Sequence, residues 1–314
     1  MSRDRFIMLN AGESRAGRVS LPAWTAVKAG VADTEGRFTL MENRGHNDIP
    51  AHVHETFDEV VYVIDGEFGI DFDGRTHRLT AGMCALLPRG VTHAMRTLSE
   101  APVHALQLSS PGGWERYVED VAEAGQTLVA EDDGRDWVEI NKLGAPYGMR
   151  YHLHGETEEN GDKERFHVLR RGEARPGRIQ VPPAFSAKVR TTDTEGRLSL
   201  LEMVVAQAIP RHVHHKADES IYVLDGELVV EYDNERHTAT KGQFVLLPRG
   251  VPHALRPGST PPPRVIQISS PGGWECFVED LIEARPHITT GGNLDPVKLN
   301  PIAAKYDITY AEPA

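Results

Sequence analysis

Two stretches decide the fold: IPAHVHETFDEVVYVIDGEF at Ile49–Phe68 and IPRHVHHKADESIYVLDGEL at Ile209–Leu228. They lie 160 residues apart, and the same shift aligns Arg18–Ala124 onto Arg178–Ala284 without a gap. DTEGR at Asp33 recurs at Asp193, LPRGV at Leu87 recurs at Leu247, and SSPGGWE at Ser109 recurs at Ser269. The tails match after a one-residue slip, with Asn141, Tyr147 and Tyr151 opposite Asn300, Tyr306 and Tyr310. The chain is therefore one unit written twice, and such a repeat is the first thing a fold assignment must respect. The charged, glycine-containing stretch GETEENGDKE near residues 155–164 has no apolar periodicity. It predicts a linear division into domains 1–157 and 158–314.

Within a unit the apolar residues fall in short runs, FTLME, EVVYVIDGEFGIDF, CALLP and VHALQLS, separated by Gly, Pro, Asp and Asn. Short strands at this spacing predict an all-β antiparallel sandwich or barrel. One segment departs from period two. Trp114, Tyr117, Val118 and Val121 recur at helical spacing, as do Trp274, Phe277, Val278 and Leu281, which predicts a short flanking helix in each unit. Tyr62, Tyr222, Trp114 and Trp274 read as core residues.

The chemistry-bearing residues sit in the duplicated stretches. His52, His54, Glu59 and His93 in the first unit correspond to His212, His214, Glu219 and His253 in the second. On a strand, residues i and i+2 share a face, so both imidazoles of an HxH triplet can converge on one ion while the central valine packs away. The Glu arrives on the returning strand, and the last His on a more distant one aimed by a Pro-Arg-Gly turn. Neighbouring positions drift between the copies, Phe57 against Ala217 and Asn43 against Met203, while all eight candidate ligands are retained. His152 and His154 repeat the HxH spacing without a Glu in register and read as structural. Three imidazoles with one carboxylate suit a redox-capable divalent ion (iron, manganese, nickel, copper or cobalt) better than structural zinc, which favours cysteines. Cys84 and Cys276 do not correspond in the two halves and form no finger or CxxC.

Composition limits the partners. The chain has 314 residues, with 46 Asp+Glu against 34 Lys+Arg and a net charge of -12, which repels nucleic acid and anionic membrane. MSRDRFIMLN carries no apolar core of a signal peptide, and no apolar run reaches 18 residues. A soluble, cytoplasmic protein is expected, working on a small molecule without nucleic acid or membrane, with room for assembly as a homo-oligomer.

These residues resemble the cupin superfamily. Its first motif ends HxH, Glu, six residues, Gly, as His52–Gly66 and His212–Gly226 do; its second runs from Gly to Pro-x-Gly and His, as Gly82–His93 and Gly242–His253 do. The resemblance covers both units and implies a bicupin: two tandem jelly-roll β-barrel domains with one divalent metal each. His46 and Ala206 stand where the family has Gly, and Thr97 and Pro257 where Asn is frequent, which points away from the germin and oxalate-degrading branch. The wording around the motifs, SPGGWE and the tail LNPIAAKYDI is closer to the quercetinase-like branch. That branch implies a metal-dependent dioxygenase acting with O2 on a flavonol or related enolised aromatic compound. Glu59 and Glu219 would then be ligands that also take the substrate hydroxyl proton. The alternatives are a non-oxidative isomerase, lyase or decarboxylase using the same ion, and a non-catalytic binding bicupin. Arg96 and Arg256 stand an odd number of positions from His93 and His253 and should face outward. With Phe57 against Ala217, Met95 against Leu255 and Met83 against Gln243, the second unit is expected to have the roomier mouth if Phe57 faces the pocket.

Overall fold

A computed structural model of the chain describes residues 5–46, 48–129, 134–152 and 161–311. The chain forms two compact units, Gly12–Arg171 and Met1–Ala11 with Gly172–Ala314. Each is a pair of antiparallel sheets, so the expected all-β architecture is present, as two facing sheets rather than one closed barrel.

In the N-terminal unit the six-stranded sheet runs His167–Leu169, Cys84–Leu87, Asp58–Asp65, Val103–Ser110, Thr39–Gly45, Thr25–Ala29. The five-stranded sheet runs Met149–Tyr151, Ile49–His54, His93–Thr97, Glu67–Phe72, Arg75–Thr80. The C-terminal unit repeats both, with Ile7–Leu9 on the edge of its larger sheet, paired to Phe244–Leu247. The inward residues of the strands, among them Val61, Val63, Ile70 and Leu87 in one unit and Ile221, Val223, Val230 and Leu247 in the other, form the two cores. This is the alternation that the apolar runs predict.

The compact units differ from the linear division at residue 157. The strand that precedes each repeat completes the sheet of the other: residues 5–9 belong with the C-terminal unit and residues 165–169 with the N-terminal one. The physical reason is legible in matched contacts. Phe6 stacks on Tyr232 at 4.4 Å, and Phe166 on Phe72 at 3.9 Å. Arg5 donates to Asp218 Oδ2 and Arg165 to Asp58 Oδ2, each at 2.8 Å. These aspartates are buried and immediately precede Glu219 and Glu59. The exchanged strand thus covers a sheet edge and anchors the strand that carries the candidate ligand.

The repeated motifs outside the histidines are structural. The buried Glu115 accepts from Val31 N at 2.7 Å and also from the Thr39 hydroxyl, and Gly112 N donates to Gly36 O at 2.9 Å, so PGGWE and DTEGR lock together. Glu275 and Gly272 do the same with Thr191 and Gly196. The helices Trp114–Ala124 and Trp274–Ala284 lie where the helical spacing places them. Tyr62 and Tyr222 are buried core residues, and Cys84 is a buried thiol outside any disulfide. Among the described residues, no helix is long and apolar enough to cross a membrane.

Because Phe6 packs in the C-terminal unit, Phe6→Ala should lower the unfolding transition of that unit by roughly 6 °C, for a loss of about 2 kcal/mol. Phe166→Ala should lower the N-terminal unit's transition instead. Differential scanning calorimetry with hydrogen exchange assigns the transitions; the opposite assignment would restore the division at residue 157.

Candidate metal centres

In each unit the four residues singled out by the motifs come together. His52, His54, Glu59 and His93 form one cluster, and His212, His214, Glu219 and His253 the other; each offers ligand atoms all within 4.8 Å of one another, and every member is buried. The three histidines come from the five-stranded sheet, where His52 and His93 are cross-strand partners, as are His212 and His253. The carboxylate comes from the facing six-stranded sheet. Between the HxH strand and the last histidine, the Pro-Arg-Gly turn acts as a clamp: Gly90 N donates to His54 O and Gly250 N to His214 O, each at 2.7 Å. Gly90 and Gly250 adopt φ of 73° and 80°, the left-handed conformation that explains glycine there.

The backbone sets the tautomers. His52 Nδ1 lies 2.7 Å from Pro50 O and His93 Nδ1 3.0 Å from Val91 O; in the second unit His212 and His253 contact Pro210 O and Val251 O at 2.8 and 3.0 Å. A carbonyl only accepts, so each Nδ1 carries the proton and each Nε2 presents a lone pair to the cluster. Burial, reinforced by neighbouring imidazoles, pushes the pKa of His52, His54 and His212 well below the usual histidine range, and burial lowers that of His214. Burial alone would raise the pKa of Glu219, but the neighbouring imidazoles of His214 and His253 outweigh it and hold the carboxyl well below its ordinary range.

A divalent ion fits these residues. In the N-terminal unit His93 Nε2 and Glu59 Oε2, 3.3 Å apart, are buried without a hydrogen-bond partner among the described residues. Two convergent acceptor atoms left so are costly unless something positive binds them. Neutral imidazoles with one carboxylate match first-row transition metals.

The two centres differ in their surroundings. Gln107 Nε2 donates to Glu59 Oε1, Asn43 Nδ2 donates to Gln107 Oε1 at 2.9 Å, and Thr25 Oγ1 donates to Asn43 Oδ1 at 2.5 Å. The orientation of this row follows from its end: the carboxylate only accepts, so the Gln107 amide must turn its NH2 inward, and each partner follows. In the second unit Met203 replaces Asn43 and Phe185 replaces Thr25. There, both amide atoms of the buried Gln267 lack a partner among the described residues.

A cavity of about 450 Å³ lies beside the N-terminal cluster, with Gln107, Val61, Met95 and Trp114 on its wall and Arg135 also lining it. Val61 and Met95 are each one inward pleat step, about 7 Å, from Glu59 and His93. Beside His214 and Ala217 in the other unit is a cavity of about 200 Å³. The expectation of a roomier second unit supposed that Phe57 faces the cavity; Phe57 is not on the wall of the larger of these two cavities, which lies in the first unit. Phe57 is buried and does crowd the histidines, stacking on His54 at 4.2 Å, but the larger space opens on the other side of the cluster.

Arg96 and Arg256 point outward, paired with Asp71 and Glu231, as strand parity requires. His152 contacts Thr92 Oγ1 at 2.9 Å and stays outside the cluster, while His154 lies outside the described residues. Trp114 and Trp274, read as core residues, are buried and also line the two cavities. Sequence reasoning missed Gln107, Asn43 and Arg135. Gln107 had a signal, since an inward polar residue is retained as Gln267; Arg135 had none.

The Cupin domain family pattern matches residues 39–109 and 199–268. Quercetin 2,3-dioxygenase of Bacillus subtilis is 22% identical over 265 residues, covering 74% of this chain and 72% of that protein. Among solved structures, protein Ylba from E. coli has a TM-score of 0.52 at 10% identity, covering 84% of this chain and 90% of its own. Oxalate decarboxylase of Lactobacillus farciminis, as a formate complex, has a TM-score of 0.50 at 14% identity, covering 84% and 86%. At such identity the two structures establish the fold alone.

Gln107 and Gln267 make a matched test of the amide row. Gln107→Leu breaks a satisfied row and should cost about 2 kcal/mol, whereas Gln267→Leu removes an unpartnered buried amide and should be neutral or stabilise by about 1 kcal/mol. Chemical denaturation reads both, and equal losses would contradict the difference described.

Proposed function

The chain is a bicupin of the quercetinase-like kind, with a cupin domain in each half, and from that premise we propose that it is a metal-dependent dioxygenase acting on a flavonol or a related enolised aromatic compound. The observation that carries the reading is the buried cluster of three histidines and one glutamate beside a cavity large enough for a small aromatic molecule. The similarity to a quercetin 2,3-dioxygenase supports the substrate class.

We assign His52, His54, Glu59 and His93, and His212, His214, Glu219 and His253, as the ligands of one divalent transition metal per unit. The bound metal supplies Lewis acidity and a redox partner for the enol and dioxygen. The chain's own residues do the rest. Protonated Nδ1 atoms fixed on backbone carbonyls hold the imidazoles of His52 and His93 in one orientation. Gln107 holds Glu59 Oε1, leaving Oε2 to face the site and accept the proton of the substrate hydroxyl. Met41, Val61 and Met95 line the cavity with apolar surface and keep water from the carbon that is attacked.

With quercetin as substrate, an oxygen electrode should record about one O2 consumed per molecule converted. The activity should vanish on chelation and return when a divalent transition metal is restored. Conversion that proceeds at full rate without oxygen would overturn the dioxygenase reading in favour of a non-oxidative reaction.

A further inference from the structure

Both units carry the same four candidate ligands, but the space beside them is built differently. In the N-terminal unit the cavity of about 450 Å³ is lined by Thr25, Asn43, Gly45, Ala105 and Arg135 among others. At the matching positions the C-terminal unit has Phe185, Met203, Val205, Val265 and Leu294. The last match follows the backbone, since Val129 bridges Arg135 as Thr289 pairs with Leu294. Every one of the five exchanges replaces a smaller or polar residue by an apolar one, and four of them add bulk. Met203, Val205 and Val265 are buried, Phe185 and Leu294 pack against them, and together they belong to the apolar core of that unit. The corresponding space is therefore occupied by protein.

We propose that the N-terminal unit alone holds the organic substrate, in this cavity, and that the occupant is a planar, largely apolar ring compound bearing hydroxyl or enolate oxygens. The inference rests on the function proposed above and adds to it a division of labour. Three features of the wall define the class. Met41, Ile49 and Met95 offer apolar surface to the faces of a ring. The row Thr25–Asn43–Gln107 offers polar edges for hydroxyls and ends on Glu59, so a hydroxyl on this edge is linked through Gln107 to the candidate base. Arg135, exposed and set over Trp137 at 5.6 Å, gives a cation for an electron-rich oxygen. The C-terminal unit keeps its cluster without this chamber, and its cavity beside His214 and Ala217 is less than half as large.

Anaerobic titration of metal-loaded protein with quercetin, followed by fluorescence and calorimetry, tests this apart from turnover. One molecule should bind per chain. Filling the chamber with the residues of the other unit, Asn43→Met with Ala105→Val, should weaken binding at least tenfold while metal content stays unchanged. Thr25→Phe, the same exchange at the chamber's edge, serves if the double variant does not fold by calorimetry. Ala217→Phe, which fills the smaller cavity, should leave binding unaltered. Two molecules per chain, no binding at all, or loss of binding in Ala217→Phe but not in the chamber variants would overturn the proposal. If quercetin binds as expected but admission of air brings no oxygen uptake, the chamber stands and the dioxygenase reading fails.

Discussion

Three imidazoles on one sheet face a carboxylate on the other, all of them buried. Such a group of lone pairs is expensive to bury unless a cation compensates it. Much of the fold reads as the means of holding it. The HxH strand is clamped by the Pro-Arg-Gly turn and flanked by the tail strand, whose Tyr151 or Tyr310 pairs with His52 or His212. The tail is fixed in turn by Asn141 or Asn300, which brackets that tyrosine's backbone with two hydrogen bonds. The Glu-bearing strand is held at its start by a buried aspartate that binds the arginine of the exchanged strand.

The two centres differ while all eight candidate ligands are kept. In the first unit an amide row ties the carboxylate to a polar wall and an open chamber; in the second, methionine and phenylalanine end the row, and the amide of Gln267 is left without a partner among the described residues. Identical candidate ligand sets therefore do not mean identical sites, and the differences lie in residues outside the cluster.

The sequence made the strands, the helices and all eight candidate ligands legible, because strand alternation and the HxH triplet are local patterns and the repeat supplied an internal check. It did not disclose the strand exchange. Phe6 and Arg5 match Phe166 and Arg165 at the same shift of 160 residues, but which sheet each strand completes depends on the path of the chain and not on local periodicity. Arg135 was hidden for a related reason, since it reaches the cavity from an irregular segment with no periodicity to read. The relative size of the cavities was not readable from Phe57, Met95 and Met83 compared one position at a time. Cavity size is set by several strands at once, and Gly45 and Ala105 count for as much as any large side chain.

The central claim, two buried clusters each holding one transition metal, is tested most directly by elemental analysis of protein purified without chelator or metal-affinity step. Two metal ions per chain are expected, falling to one in His93→Ala, to one in His253→Ala, and to none when both are replaced. A protein free of transition metal, or one whose content is indifferent to these histidines, would contradict it.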